Sequence, residues 1–146
     1  MEKSVNLKSK FMETFGLVEQ DLRSYSPLTL AYIGDAIFEL VVRTVLVERK
    51  NTQAEKLHKA ATKIVKAETQ ALMIEALKED LTEEELAVFK RGRNAKAVTR
   101  AKNATMSEYR RATGFEALMG YLYLKGDMAR MIELIRLGVE KAEVTL

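Results

Sequence analysis

The sequence predicts an all-α fold. Three observations carry that prediction: apolar residues recur at helical spacing through most of the chain, no stretch alternates with period two, and helix-start signals recur at Ser26-Pro27, Thr82 and Asp127. The 146 residues are read as one domain, with an N-terminal extension over 1–25 and a helical core over 26–142.

The extension is expected to hold a short helix around Phe11–Phe15. Ser26 and Pro27 read as the cap and first position of a helix that runs to about Arg49 and ends near "RKNT". A second helix is expected from Thr52 to about Lys78, with Leu57, Ala61, Ile64, Val65 and Leu72 keeping helical spacing. Thr82 followed by Glu85 makes a capping box for a third, ending near Gly92. "GRNAKAVTRAKNAT" has no amphipathic period and reads as a loop in which Gly92 permits a sharp turn. Ser107 starts the next helix, with Phe115, Leu118, Met119 and Leu122 on its core side and Gly126 at its close. Asp127 caps the last, whose inner face is expected to carry Met128, Met131, Ile132, Ile135 and Val139.

Composition narrows the chemistry. Apolar residues at 47% and charged residues at 31% suit a globular chain able to bury a core. There is no cysteine, which excludes disulfides, thiolate metal sites and thiol nucleophiles and fits a reducing cytoplasm. One histidine, His58, excludes sites built on a histidine pair, and its basic surroundings suit a surface position. The N-terminus has no apolar signal core. In the Leu28–Val47 run, Asp35, Glu39 and Arg43 would each cost roughly 2.5–3.5 kcal/mol at a bilayer centre, which argues against a span.

Two acids sit in apolar surroundings. "LTLAYIGDAIFELVV" places Asp35 after Gly34, and "TGFEALMGYLYL" places Glu116 one turn before Gly120. A buried unpaired carboxylate costs several kcal/mol, so each calls for a partner. Two acids on separate helices suit a shared hard cation, and without histidine or cysteine that cation would be magnesium or manganese rather than zinc. A helix-surface aspartate, or independent ion pairs such as Asp35 with Arg43, are the alternatives. Glu39 and Glu68 are further candidate ligands, for which ordinary ion pairs are the simpler reading.

The charge is uneven. Net charge is only +3, yet "KRGRNAKAVTRAKN" holds six basic residues and no acid. Arg91, Arg93, Lys96, Arg100 and Lys102 offer phosphate contacts, and Asn94 could reach a 2′-hydroxyl or a base edge in the wide minor groove of an RNA duplex. Arg110 and Arg111 could extend the patch. A solvated charged loop is the plain alternative.

In order along the chain, "LAYIGDA", "KRGRNAK" and "FEALMGYL" resemble the ribonuclease III family, and most nearly its mini-ribonuclease III group, which has the nuclease domain without a double-stranded-RNA-binding domain. The resemblance covers about Leu28 to Leu137. It implies that Asp35 and Glu116 bind a catalytic magnesium ion, with manganese as a substitute. It also implies a homodimer that cuts double-stranded RNA to 5′-phosphate and 3′-hydroxyl ends. The implied role is maturation of the 23S ribosomal RNA precursor in a bacterial cytoplasm, with the need for a ribosomal-protein helper left open. The chain departs from the longer enzymes, which carry acids where it has Ala31, Thr113 and Leu28. A noncatalytic module that binds duplex RNA on a nuclease fold is therefore the alternative, and a helical protein-interaction adaptor a third reading. Tyr32, Ile33, Ile37, Phe38 and Val41 give the signature helix apolar surface for a dimer, with burial inside one monomer as the alternative. Tyr121 and Tyr123 read as core or interface residues rather than base-stacking platforms.

Overall fold

The computed structural model describes residues 6–95 and 104–146, and these residues are helices and their connections, with no strand among them. Helix α1 (Leu7–Phe15) is capped by the Asn6 side chain, which accepts from the Lys8 and Ser9 amides, and closes on Gly16 in the left-handed region at φ 62°. It begins well before the expected Phe11, because Asn6 supplies a cap that apolar spacing does not register. None of its residues is buried, and two hydrogen bonds tie it to the end of α6: Lys8 donates to the Leu124 carbonyl and Asn6 to that of Gly126.

Helix α2 (Pro27–Arg49) starts and stops as read from sequence, with Ser26 Oγ accepting from the Thr29 amide at 3.1 Å and Pro27 in the first turn. The expected second helix is instead two, α3 (Ala54–Val65) and α4 (Ala67–Leu77). They part at Lys66, whose backbone is extended at φ −67°, ψ 155°. Side chains stitch the break: Thr69 Oγ1 donates to the Lys63 carbonyl at 2.6 Å and Gln70 Nε2 to that of Val65 at 2.7 Å. These donors replace backbone amides that a continuous helix would present. The break resets the register, and Leu72 faces outward while Met73, Ile74 and Leu77 are buried.

Helix α5 (Glu83–Asn94) opens with the expected capping box between Thr82 and Glu85. It does not end at Gly92. That glycine is buried within the helix, where a Cβ would lie 2.8 Å from the Ala117 Cβ and 2.9 Å from the Gly114 Cα. Gly92 is thus a close-packing position, not a turn. Lys96, Arg100 and Lys102 lie outside the described residues.

Helix α6 (Met106–Lys125), capped by a Thr105–Glu108 box, runs through the middle of the molecule against α2, α4, α5 and α7. From Ala112 to Tyr123 every residue is buried except Glu116. Tyr121 and Tyr123 are therefore core residues. Phe38 of α2 and Phe115 of α6 meet edge to face at 5.1 Å between ring centres, and a fully buried phenylalanine contributes about 1.5–3 kcal/mol. Gly126 closes α6 at φ 86°, and α7 (Met128–Lys141) follows at once, capped by Asp127 as expected. Met131, Leu134 and Ile135 face the core, whereas Ile132, placed on that face by spacing alone, points to solvent. The buried Glu85 carboxylate takes two bonds of 2.8 Å from Arg130 Nε and a terminal nitrogen, which clamps α7 onto α5. Among the described residues, no helix is long and apolar enough to cross a membrane.

Candidate functional site

The crossing of α2 over α6 is closed by two glycines. A Cβ on Gly34 would fall on the Glu116 carbonyl oxygen and 2.7 Å from the Gly120 amide nitrogen. A Cβ on Gly120 would fall on the Leu30 carbonyl oxygen and 3.0 Å from Ile33 Cγ2. Each glycine rests on the carbonyl of the residue one turn before the other, so the two backbones touch with no side chain between them. This contact decides where the acids go. Asp35 follows Gly34 and Glu116 precedes Gly120 by one turn, so the close crossing brings the two acids near enough for Asp35 to raise the Glu116 carboxyl.

The two acids differ in surroundings. Asp35 is exposed, like its neighbours Tyr32 and Ala36, and so lies on the helix surface despite the apolar residues around it in sequence. The apolar run around it has a solvent face, and Asp35 is on that face. Glu116 is the enclosed one. Burial, followed by the hydrogen bond to Asp35 and its charge, pushes the Glu116 carboxyl up to about 8, while a hydrogen bond from Gln70 pulls it down. That bond runs from Gln70 Nε2 to Glu116 Oε2 at 3.2 Å.

The other candidate ligands go elsewhere. Arg43 pairs with Glu39 at 2.5 Å rather than with Asp35, and Glu68 lies near Lys66 at 3.8 Å. Thr113 commits its hydroxyl to the Tyr109 carbonyl at 3.0 Å, and Ala31 is buried and apolar. No group of three or more metal-ligating side chains forms among the described residues, so Asp35 and Glu116 stand as a pair. Beside Glu116 lies a cavity of about 480 Å³, lined in part by Val65, Lys66, Gln70, Tyr109 and Thr113.

The basic residues gather where the end of α5 meets the start of α6. Arg91, Arg93 and Asn94 occupy the last turn of α5, and Arg93 lies over the Phe89 ring at 5.6 Å. Arg93, Asn94, Arg110 and Arg111 line one cleft of about 550 Å³, in which Glu75 pairs with Arg111 at 3.4 Å. His58 is exposed on α3.

A family of known sequences, the ribonuclease III domain, matches residues 28–127, a span that holds both acids, both glycines and the basic cleft. The chain belongs to the ribonuclease III family. Within it, the chain falls in the mini-ribonuclease III group. It is 47% identical over 126 residues to a mini-ribonuclease 3 of Clostridium tetani, which covers 86% of this chain and 83% of that one. It is 44% identical over 144 residues to a mini-ribonuclease 3 of Thermoanaerobacter, which covers 98% and 99%. A crystal structure of a Fusobacterium nucleatum protein superposes with a TM-score of 0.76 at 34% identity, covering 86% of this chain and all of that one. The fold of the family thus brings Asp35 and Glu116 together.

Gln70 is not marked as a site residue by its sequence, whereas Glu68, the charged residue two positions earlier, faces solvent. The available signal was an uncharged polar residue followed by Ala71, Met73 and Ile74 on a buried helix.

Proposed function

We propose that this protein is a metal-dependent endoribonuclease that cleaves double-stranded RNA, and the observation that carries the proposal is the facing pair Asp35 and Glu116 at the glycine-closed crossing. The donor set fits a hard divalent cation. Two carboxyl groups brought together with no basic partner among the described residues give oxygen ligands and an electrostatic conflict that a cation relieves. Magnesium suits such a site, with manganese as a substitute. Asp35 and Glu116 would hold the ion, which when bound supplies Lewis-acid stabilisation of phosphodiester charge and makes a water more acidic.

The chain's own residues do the rest. Glu116 must give up its proton to serve as a ligand, and Gln70 favours that form by donating to Oε2. Arg93, Asn94 and Arg110 present donors to the RNA backbone, with Arg110 six residues from Glu116 and so about 9 Å along α6. Lys96, Arg100 and Lys102 add positive charge to the same stretch of sequence. In-line attack of water on phosphorus with departure of the 3′-oxygen leaves a 5′-phosphate and a 3′-hydroxyl. No side chain need act as nucleophile.

Two strands require two sites, which a two-fold homodimer supplies. Helix α2 buries Ile37 and Phe38, but it exposes Leu28, Tyr32 and Leu40 in a stripe, with Tyr32 82% exposed. That stripe supports a second copy as its cover. The cellular role we assign is maturation of the 23S ribosomal RNA precursor in the cytoplasm.

The absence of a third acid among the described residues favours a second reading, a module that binds duplex RNA without cutting it. Cleavage of a labelled duplex with magnesium, by wild type and by a folded Asp35→Asn variant, separates the two. Cutting by the wild type alone supports the nuclease. Binding without cutting by both supports the module, and equal cutting by both overturns the assigned site.

A further inference from the structure

Gln70 is 1% exposed, and its carboxamide is oriented by its neighbours. Nε2 donates to the Val65 carbonyl at 2.7 Å and to Glu116 Oε2 at 3.2 Å. Exchanging the amide oxygen and nitrogen would turn an acceptor toward two acceptors, so the orientation is set. The consequence falls on Oε1, which is buried with no hydrogen-bond partner among the described residues. An unpaired buried acceptor is unfavourable. The amide is therefore not placed for its own satisfaction, and an apolar side chain of equal size would remove the orphan oxygen.

What the amide does is hold one oxygen of Glu116. The Val65 carbonyl that anchors it is available because the chain breaks at Lys66, so the α3–α4 break, Gln70 and Glu116 form one connected device. Resting on the cation site proposed above, we infer that Gln70 is a positioning residue: it occupies Glu116 Oε2 and thereby leaves Oε1 of Glu116 to a cation shared with Asp35. A neutral donor suits this place. A third carboxylate would repel the pair in the absence of metal, and a lysine would compete with the cation for it.

The test is Mn²⁺ binding to the full chain without RNA, read from the free-ion signal in electron paramagnetic resonance, for wild type, Gln70→Met, Gln70→Leu, Asp35→Asn and Glu116→Gln. Losing a residue that orients a ligand typically weakens metal affinity about 10–100-fold. That loss is expected for Gln70→Met and Gln70→Leu in their folded state, beside the lower stability in EDTA that follows from taking the donor away from the Val65 carbonyl. Cleavage by Gln70→Met should recover as Mn²⁺ is raised, since the defect is in affinity. A purely structural role predicts lower stability with Mn²⁺ affinity of the folded variants unchanged, and that result overturns the inference. If Asp35→Asn and Glu116→Gln lose Mn²⁺ while the Gln70 variants keep it, only the role of Gln70 fails. If Asp35→Asn and Glu116→Gln also bind as wild type does, the cation site itself is misassigned. Should neither Gln70 variant fold, the side-chain amide signal of Gln70 in ¹⁵N-labelled wild type decides. It must move along a Mg²⁺ titration, and an unmoved signal overturns the inference.

Discussion

Replacing Glu116 with glutamine should make the metal-free protein more stable while abolishing its response to metal. The glutamate carboxyl is pushed from its ordinary 4.5 up to about 8 by burial and by Asp35, so at neutral pH folding requires it to keep a proton that the unfolded chain releases. A folded pKa raised above the unfolded value for an acid means stability is full below about pH 4.5, falls as pH rises, and levels off near pH 8. At about 1.36 kcal/mol per pH unit, the 2.5 units between 4.5 and pH 7 amount to about 3 kcal/mol, and at pH 5 the same sum is under about 1 kcal/mol. Glutamine has the same shape and nothing to titrate. Urea unfolding of both proteins in EDTA at pH 5, 6, 7 and 8 measures the difference directly. The advantage of Glu116→Gln should grow by about 2.5 kcal/mol between pH 5 and pH 7. Magnesium at a hundred times its dissociation constant should return about 2.7 kcal/mol to wild type and nothing to the variant. A stability difference that does not change with pH would refute the reasoning, because the conflict between Glu116 and Asp35 would then not exist.

Gly34→Ala should cost about 3 kcal/mol, the top of the overpacking range, because the new methyl meets main chain on α6; thermal denaturation checks it. Glu85→Ala should cost about 1.5–3 kcal/mol by removing two charge-assisted bonds from Arg130, which keeps Glu133 and the Asp80 carbonyl as partners, as measured by urea unfolding. Arg130 holds the Glu85 carboxyl below its ordinary value, so this pair adds stability above about pH 4.5 that is lost as pH falls further, and Glu85→Gln should flatten that part of the acid-unfolding curve. Arg110→Ala should lower the salt dependence of duplex binding by about one unit of slope, read by titration at several salt concentrations. Tyr32→Glu should give a monomer by light scattering, and a dimer unchanged in mass would move the interface elsewhere.

Helix ends were readable where a side chain announces them. Ser26-Pro27, the Thr82–Glu85 box and Asp127 each cap a helix where the residues place them. The break at Lys66 was not readable, because it rests on Thr69 and Gln70 reaching back to carbonyls three-dimensionally near them, and apolar spacing runs on across it. Gly92 misled for a related reason: a glycine that permits a turn and one that permits close packing look alike until α6 lies against it. At the site, the pairing of Asp35 with Glu116 came from family resemblance, and their unequal exposure came only from seeing which face of α2 looks outward. Gln70 is uncharged, and its one local signal, a polar residue leading into Ala71, Met73 and Ile74, carries no charge that would point to a metal site.

The reciprocal seating of Gly34 and Gly120 has a consequence for genetics. Most steric defects in a protein core can be corrected at a second site by shrinking the side chain that is struck. Here the struck atoms are carbonyl oxygens of Glu116 and Leu30, which every amino acid carries, so no substitution at either residue can make room. A selection for restored function starting from Gly34→Ala or Gly120→Ala should therefore return reversion to glycine at the altered position, and no suppressor at the residue it strikes.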